Sequence, residues 1–242
     1  MLVNLEKYLK IFQIYPKGFV QVGAHLGNEV EIFQKLNSNA NIYLFEPQKI
    51  LYEKLILKFS NNEKIKIFNC ALGNEISKLT MYKDLNNDSQ SSSFLKPKDH
   101  LIYHSYIEFR KDEEETIEIN TLDSYKLNEA NILCVDVQGY ELNVLKGSTS
   151  SLKNFEALLI EVNRKELYED CPHISEIDSF LKKHNFLRVV TKWWKKTIPW
   201  GDALYIQKNK IPIFKRLVLS VYNFVNQKNI TFYLLSKVIK TK

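Results

Sequence analysis

Four polar side chains stand where apolar runs break off in this 242-residue chain. They are Gln21 beside Gly23, Glu46 after Ile42-Tyr43-Leu44-Phe45, Asp136 after Ile132-Leu133-Cys134-Val135, and Glu161 after Leu158-Leu159-Ile160. A carboxylate at the end of a buried strand costs free energy unless it has a partner. Several on one rim therefore point to a site rather than to separate helix caps. The first run turns at Gly23-Ala24-His25-Leu26-Gly27 into a helical pattern. Glycine at such a turn lets a ligand approach the main chain. The spacing fits neither common phosphate loop. A dinucleotide loop needs G-x-G-x-x-G and position 25 is His, while no G-K-[ST] follows for a triphosphate.

What remains is a turn for a nucleoside without phosphates, and S-adenosyl-L-methionine is the cofactor of that kind. In such a site Glu46 is placed to accept hydrogen bonds from both ribose hydroxyls. Cys70-Ala71-Leu72 offers apolar surface and backbone groups to an adenine, and Asp136 lies beside the sulfonium methyl. Methyl transfer is an in-line displacement achieved largely by positioning. A hydroxyl acceptor also needs a general base. The candidates are Asp136 and Glu161, then His104 and His173, each histidine reading more readily as a surface or loop residue. Asp136 and Glu161 could instead ligate a divalent cation such as Mg²⁺ across two neighbouring hydroxyls, although no spacing demands one.

The elements that must position these groups follow from periodicity. Apolar strands at 19–22, 41–46 and 64–70 alternate with helical patterns at 29–36 and 48–59, which calls for a parallel, doubly wound sheet. The middle is less regular. An edge strand at 79–83 precedes a polar loop at 86–93. The run Asp112-Glu113-Glu114-Glu115 reads as a solvated loop before a short strand at 116–120. Order returns with a strand at 131–136, a helix at 140–146 closed by Gly147, a strand at 155–160, a helix at 174–184, and strands at 186–191 and 203–207. An amphipathic helix within 1–16 is expected to pack on the body, 17–208 to form one domain, and 209–242 a basic helical tail.

In its motifs the chain resembles the FkbM-type S-adenosylmethionine-dependent methyltransferases. The resemblance rests on Val22-Gly23-Ala24-His25-Leu26-Gly27, Phe45-Glu46-Pro47, Ala71-Leu72-Gly73, Ser91-Ser92-Ser93, Thr121-Leu122-Asp123, Asp136-Val137-Gln138-Gly139-Tyr140-Glu141, Glu161-Val162 and Asp202-Ala203-Leu204-Tyr205. It implies an α/β, Rossmann-like, seven-stranded class I methyltransferase sheet with its last strand antiparallel. It implies cofactor contacts from Gln21, Gly23, Ala24, His25, Gly27, Glu46, Pro47, Ala71, Leu72 and Asp136. It implies O-methylation of a small-molecule or glycan acceptor, such as a glycan or sugar-nucleotide precursor, and it sets the Ser91–Ser93 loop near the site. One departure matters: many members carry Asp at the position of Gln21, near the methionine amino group. A neutral side chain there removes a charge from cofactor binding. RNA methylation, another small-metabolite acceptor and a non-catalytic cofactor-binding module are the rival readings.

Charge argues against nucleic acid. From Lys208 onward there are eight Lys or Arg and no Asp or Glu, leaving 26 basic against 28 acidic side chains before it. The formal charge of +6 thus belongs to the tail. A helix opened by Pro212, with Phe214, Leu217, Val218, Val221, Phe224 and Val225 on one face, is followed by a second apolar stretch at 230–239. Such a tail fits packing on its own domain or a second subunit, an anionic membrane surface, or, least well, nucleic acid. Cys70, Cys134 and Cys171 are expected as free buried thiols in a reducing compartment. No leader or long apolar run is apparent, so the expected location is cytoplasmic, with the inner membrane face as an option for the tail.

Overall fold

The computed structural model describes residues 1–127, 129–195 and 197–227. In chain order its elements are α1 (Leu5–Ile11), β1 (Gly18–Val22), α2 (Val30–Leu36), β2 (Asn41–Phe45), α3 (Lys49–Phe59), β3 (Ile65–Phe68), β4 (Ala71–Leu72), β5 (Ser77–Asp84), α4 (His100–Tyr103), β6 (Phe109–Asn120), β7 (Ile132–Val135), α5 (Glu141–Lys146), β8 (Ala157–Asn163), α6 (Ile174–Lys183), β9 (Phe186–Trp193), β10 (Trp200–Gln207) and α7 (Ile213–Gln227).

Seven strands form one sheet in the order β3-β2-β1-β7-β8-β10-β9. β1 pairs in parallel with both β2 and β7, so the winding reverses between β1 and β7. Ligands of open α/β sheets bind outside the strand ends at that reversal. β10 runs antiparallel to both its neighbours, β8 and β9, and thus lies inside the sheet.

Alternate side chains along each strand feed opposite layers, as a pleat requires. Phe19, Ile42, Leu44, Ile132, Cys134, Ala157 and Leu159 enter one apolar layer with residues of α1, α2 and α3. Val20, Tyr43, Phe45, Leu133, Val135, Leu158 and Ile160 enter the other with α5 and α6. Phe19 stacks on Phe33 of α2 at 4.5 Å. Burying a ring of this size contributes about 2 kcal/mol. All three cysteines are free and buried.

Four readings change on inspection. The apolar run at 64–70 is broken: β3 ends at Phe68, and Ala71–Leu72 joins a second, three-stranded sheet of order β4-β6-β5. The acidic run 112–115 lies within β6 rather than in a loop, because pairing with β5 extends that strand to twelve residues. β8 continues past Ile160, since β10 pairs it through Asn163 and sets Asp202 opposite Glu161. Gly147 does close α5, but at φ −80 it needs no left-handed backbone; a Cβ there would stand 1.8 Å from the Gly73 carbonyl oxygen.

Of the apolar stripe on the tail helix α7, Phe214, Leu217 and Val221 do not pack on the body, and the side chains of Phe224 and Val225 lie outside the described residues. Leu219 is buried against the first layer, whereas Phe214, Leu217 and Val221 are 64%, 71% and 44% exposed. At 3.6 residues per turn Leu219 lies nearly opposite both Leu217 and Val221. The apolar stretch at 230–239 lies outside the described residues. No helix among the described residues is long and apolar enough to cross a membrane.

Candidate active site

At the reversal point opens a cleft of about 460 Å³. One wall consists of strand ends. Gly23 follows β1 with φ +78, and a Cβ on it would come within 1.9 Å of the Asp136 carbonyl oxygen. The close approach of β1 and β7 at this point therefore depends on glycine. The amides of Gly23 and Ala24 both donate to the Phe45 carbonyl at 3.0 Å, which folds the turn back over β2.

Glu46, 3% exposed, accepts from the backbone amides of His25 at 2.8 Å and Gln48 at 2.9 Å. Each of its oxygens keeps a lone pair for a further donor. Burial raises its pKa, while these two amides oppose the rise. Pro47, Gln48, Cys70, Ala71 and Leu72 continue the same wall.

The facing wall comes from β5 of the small sheet and the segment between β5 and β6. Met81, Ser89, Gln90, Ser91, Ser92, Phe94, His100, His104 and Tyr106 line it, with Trp194 and Trp200 at its margin. The serine loop is tied by Asp84, whose carboxylate accepts from the amides of Asn86, Asn87 and Ser91. His104 lies over Trp200 with ring centres 5.0 Å apart, and Tyr106 meets His104 edge-on at 5.6 Å. His100 is 4% exposed, and burial, aided by the charge of His104, lowers its pKa to about 4. Burial lowers His104 as well, so the wall is aromatic and uncharged at neutral pH.

Between the walls stand Asp136, just past β7, and Glu161 of β8. Gln138 Nε2 donates to Asp136 Oδ1 at 2.9 Å and to Glu161 Oε2 at 3.1 Å. Asp136 opens to the cleft but is ringed by protein on its other sides. That crowding first, then the Asp202 and Glu29 carboxylates, raise its pKa to about 6 against the Gln138 hydrogen bond. Glu161 is raised well above the carboxylate range by burial first, then by the charges of Asp136, Glu141 and Asp202. Two crowded carboxyls pushed apart in this way can divide the labour of holding and accepting a proton. Beneath them the fully buried Glu141 accepts from the amides of Val137 and Gly139 at 3.0 Å each, bracing the turn.

The cleft thus gathers Gln21, Gly23, Ala24, His25, Glu46, Pro47, Ala71, Leu72, His104, Asp136 and Glu161. Gly27 is not among its lining residues. A Cβ there would strike Phe59 at 2.7 Å, so this glycine serves the packing of the turn on α3. His173 is also elsewhere, capping α6 with Glu176. Sequence reasoning missed Glu29, Gln48 and Gln138. Gln138 sits in the most specific motif, but nothing in its spacing reveals that its amide bridges two carboxyls. No three His, Cys, Asp or Glu side chains among the described residues group so as to hold a metal ion.

Residues 21–188 match the sequence model of the methyltransferase FkbM domain. The chain belongs to the FkbM methyltransferase family. It is 23% identical over 160 residues to the 2-O-methyltransferase NoeI of Sinorhizobium fredii, an alignment covering 62% of this chain and 65% of NoeI. The fold is similar to that of methyltransferase FkbM from Methylobacillus flagellatus, with TM-score 0.52 and 13% identity, over 79% of this chain and 43% of that one. The chain thus spans less than two thirds of the length of either relative. The cleft fits S-adenosylmethionine, the methyl donor of this family. Glu46 keeps free acceptor capacity, Gln21 Oε1 is buried without a partner among the described residues, and Gly23 and Ala24 line the cleft beside them.

Proposed function

We propose that residues 17–208 form an S-adenosylmethionine-dependent O-methyltransferase acting on a hydroxyl of a carbohydrate, such as a glycan or sugar-nucleotide precursor. Residues 1–16 then pack on that domain and 209–242 extend it. The observation that carries the reading is the pairing, in one cleft, of a raised Asp136–Glu161 couple with a wall of neutral rings. The O-methyl activity named for NoeI supports the oxygen acceptor.

When bound, the cofactor supplies an electrophilic methyl on a positive sulfur. The chain's residues do the rest by holding and by moving one proton. Glu46 accepts the ribose hydroxyls, while Gly23, Ala24, His25 and Pro47 shape the turn around them. Ala71 and Leu72 face the adenine. Trp200 and His104 offer flat apolar faces to the C–H face of a sugar ring, which leaves its hydroxyls directed away from the wall. Asp136 accepts the proton of the attacking hydroxyl, and Glu161 keeps its own proton and so limits the negative charge at the site. His104 in its neutral form is the second proton acceptor within the cleft. Gln138 fixes both carboxyls.

Mass spectrometry of glycans and sugar nucleotides from a strain lacking the gene tests the reading. Loss of one CH₂ from a carbohydrate species is expected, restored when the purified protein and cofactor are added back. An unchanged carbohydrate profile, with a CH₂ lost from RNA or another metabolite instead, overturns the acceptor class.

A further inference from the structure

We infer that Glu29, in the turn leading into α2, supplies the negative charge that holds the ammonium end of the cofactor in place of the neutral Gln21. The inference rests on the cofactor reading and not on the identity of the acceptor. Gln21 and Glu29 line the cleft side by side, and Gln21 Nε2 donates to Glu29 Oε2 at 3.3 Å. Because a carboxylate only accepts, this contact fixes which way the amide is turned. Gln21 is 5% exposed, and its Oε1 has no partner among the described residues. The pair therefore presents one unused carbonyl oxygen and one carboxylate side by side. That is the complement of an ammonium, which carries one charge and three donors.

The other acids of this rim hold donors away from Gln21, Glu46 taking the backbone amides of His25 and Gln48. Asp136 and Glu161 take the Gln138 amide, and Asp202 takes the backbone amide of Leu2. Glu29 stands at the start of α2, but its side chain makes no capping hydrogen bond, so a helix-cap role does not account for it. A cation is already drawn to this carboxylate: the Met1 ammonium lies 3.7 Å from Oε1, beyond hydrogen-bond range. The charge that an Asp would bring at position 21 is thus present eight residues later, delivered to the same part of the cleft through the Gln21 amide.

Calorimetric titration with two probes tests this. S-adenosylhomocysteine carries the amino-acid end, whereas 5′-methylthioadenosine has the same nucleoside without it. Glu29→Gln is expected to weaken S-adenosylhomocysteine about tenfold, the effect of losing one charge-assisted hydrogen bond. The same variant should leave methylthioadenosine unchanged. Adding Gln21→Asp to the Glu29→Gln variant should restore much of the loss. An unchanged S-adenosylhomocysteine affinity in Glu29→Gln overturns the inference. Equal weakening of both probes also overturns it, by making Glu29 a structural residue of the turn. If neither probe binds the parent protein, the cofactor reading itself falls.

Discussion

The two walls of the cleft are built by different means. On the cofactor wall the main chain does most of the work: backbone amides pin Glu46, the Phe45 carbonyl folds the glycine turn, and a bare Gly23 lets β1 meet β7. On the facing wall there is one four-residue helix, α4, and the surface consists of side chains such as His100, His104, Tyr106 and Trp200. A wall made of backbone tolerates little change and suits one invariant ligand. On the proposed function, a wall made of side chains, some of them carried by the segment between β5 and β6, is where acceptor choice would be set.

If this division holds, substitutions on the two walls separate by readout. The largest effect is expected between them. Asp136→Asn should lower turnover about a hundred- to ten-thousandfold, followed by release of S-adenosylhomocysteine, with an unchanged circular dichroism spectrum. The parent's activity should rise as pH increases through about 6, since only the deprotonated Asp136 accepts a proton, and that limb should vanish in the variant. Near-parent turnover would remove Asp136 from the chemistry. Next in size, Glu46→Ala should weaken cofactor binding by about ten- to a hundredfold in calorimetry and leave the acceptor KM unchanged. Trp200→Ala should do the reverse, raising the acceptor KM about tenfold with the cofactor Kd intact. A shift in both constants for either variant breaks the comparison.

The smallest expected effect concerns the floor shared by both walls. Burial raises Glu141 to about 7 from the ordinary 4.5, so between those values the folded chain holds a proton that the unfolded chain releases. Its contribution to stability is present at low pH and is lost as pH rises through about 7. Thermal unfolding of the parent should show Tm falling by several degrees across that window, and Glu141→Gln should remove part of the fall, the raised Asp136 and Glu161 keeping the rest.

The same contrast explains what the sequence could disclose. Strand ends at 22, 45 and 135 are visible because a buried parallel strand reads as an apolar run that stops. The glycine turn and the rim carboxylates follow from them. Gly27 misled, since a glycine needed to clear Phe59 looks in sequence like one needed to admit a ligand. β6 was only half visible. Alternation marks residues 116–120, but the extension through 112–115 comes from pairing with β5, which no local pattern encodes. The facing wall was least legible. His104 stood out as a titratable residue, but its tilted ring contact with Trp200, almost a hundred residues on, is a product of the fold. Glu29 was hidden for a similar reason, because its value lies in its contact with Gln21 across the turn.

Gln138 ties together parts of the cleft that lie far apart in the chain. It holds a left-handed backbone, φ +54, which a non-glycine residue adopts at some cost in strain. Its carbonyl takes the Ser93 hydroxyl and its side-chain oxygen takes the Tyr168 hydroxyl, while its amide grips Asp136 and Glu161. The same Tyr168 hydroxyl lies 3.0 Å from the Ser91 carbonyl, its single proton serving one of the two oxygens at a time. One residue is therefore the joint through which the serine loop and the two carboxyls are fastened together. If Asp136 is the proton acceptor proposed above, a molecule that presses that loop out of place also pulls on it, and a poorly fitting acceptor is then penalised in rate as well as in affinity.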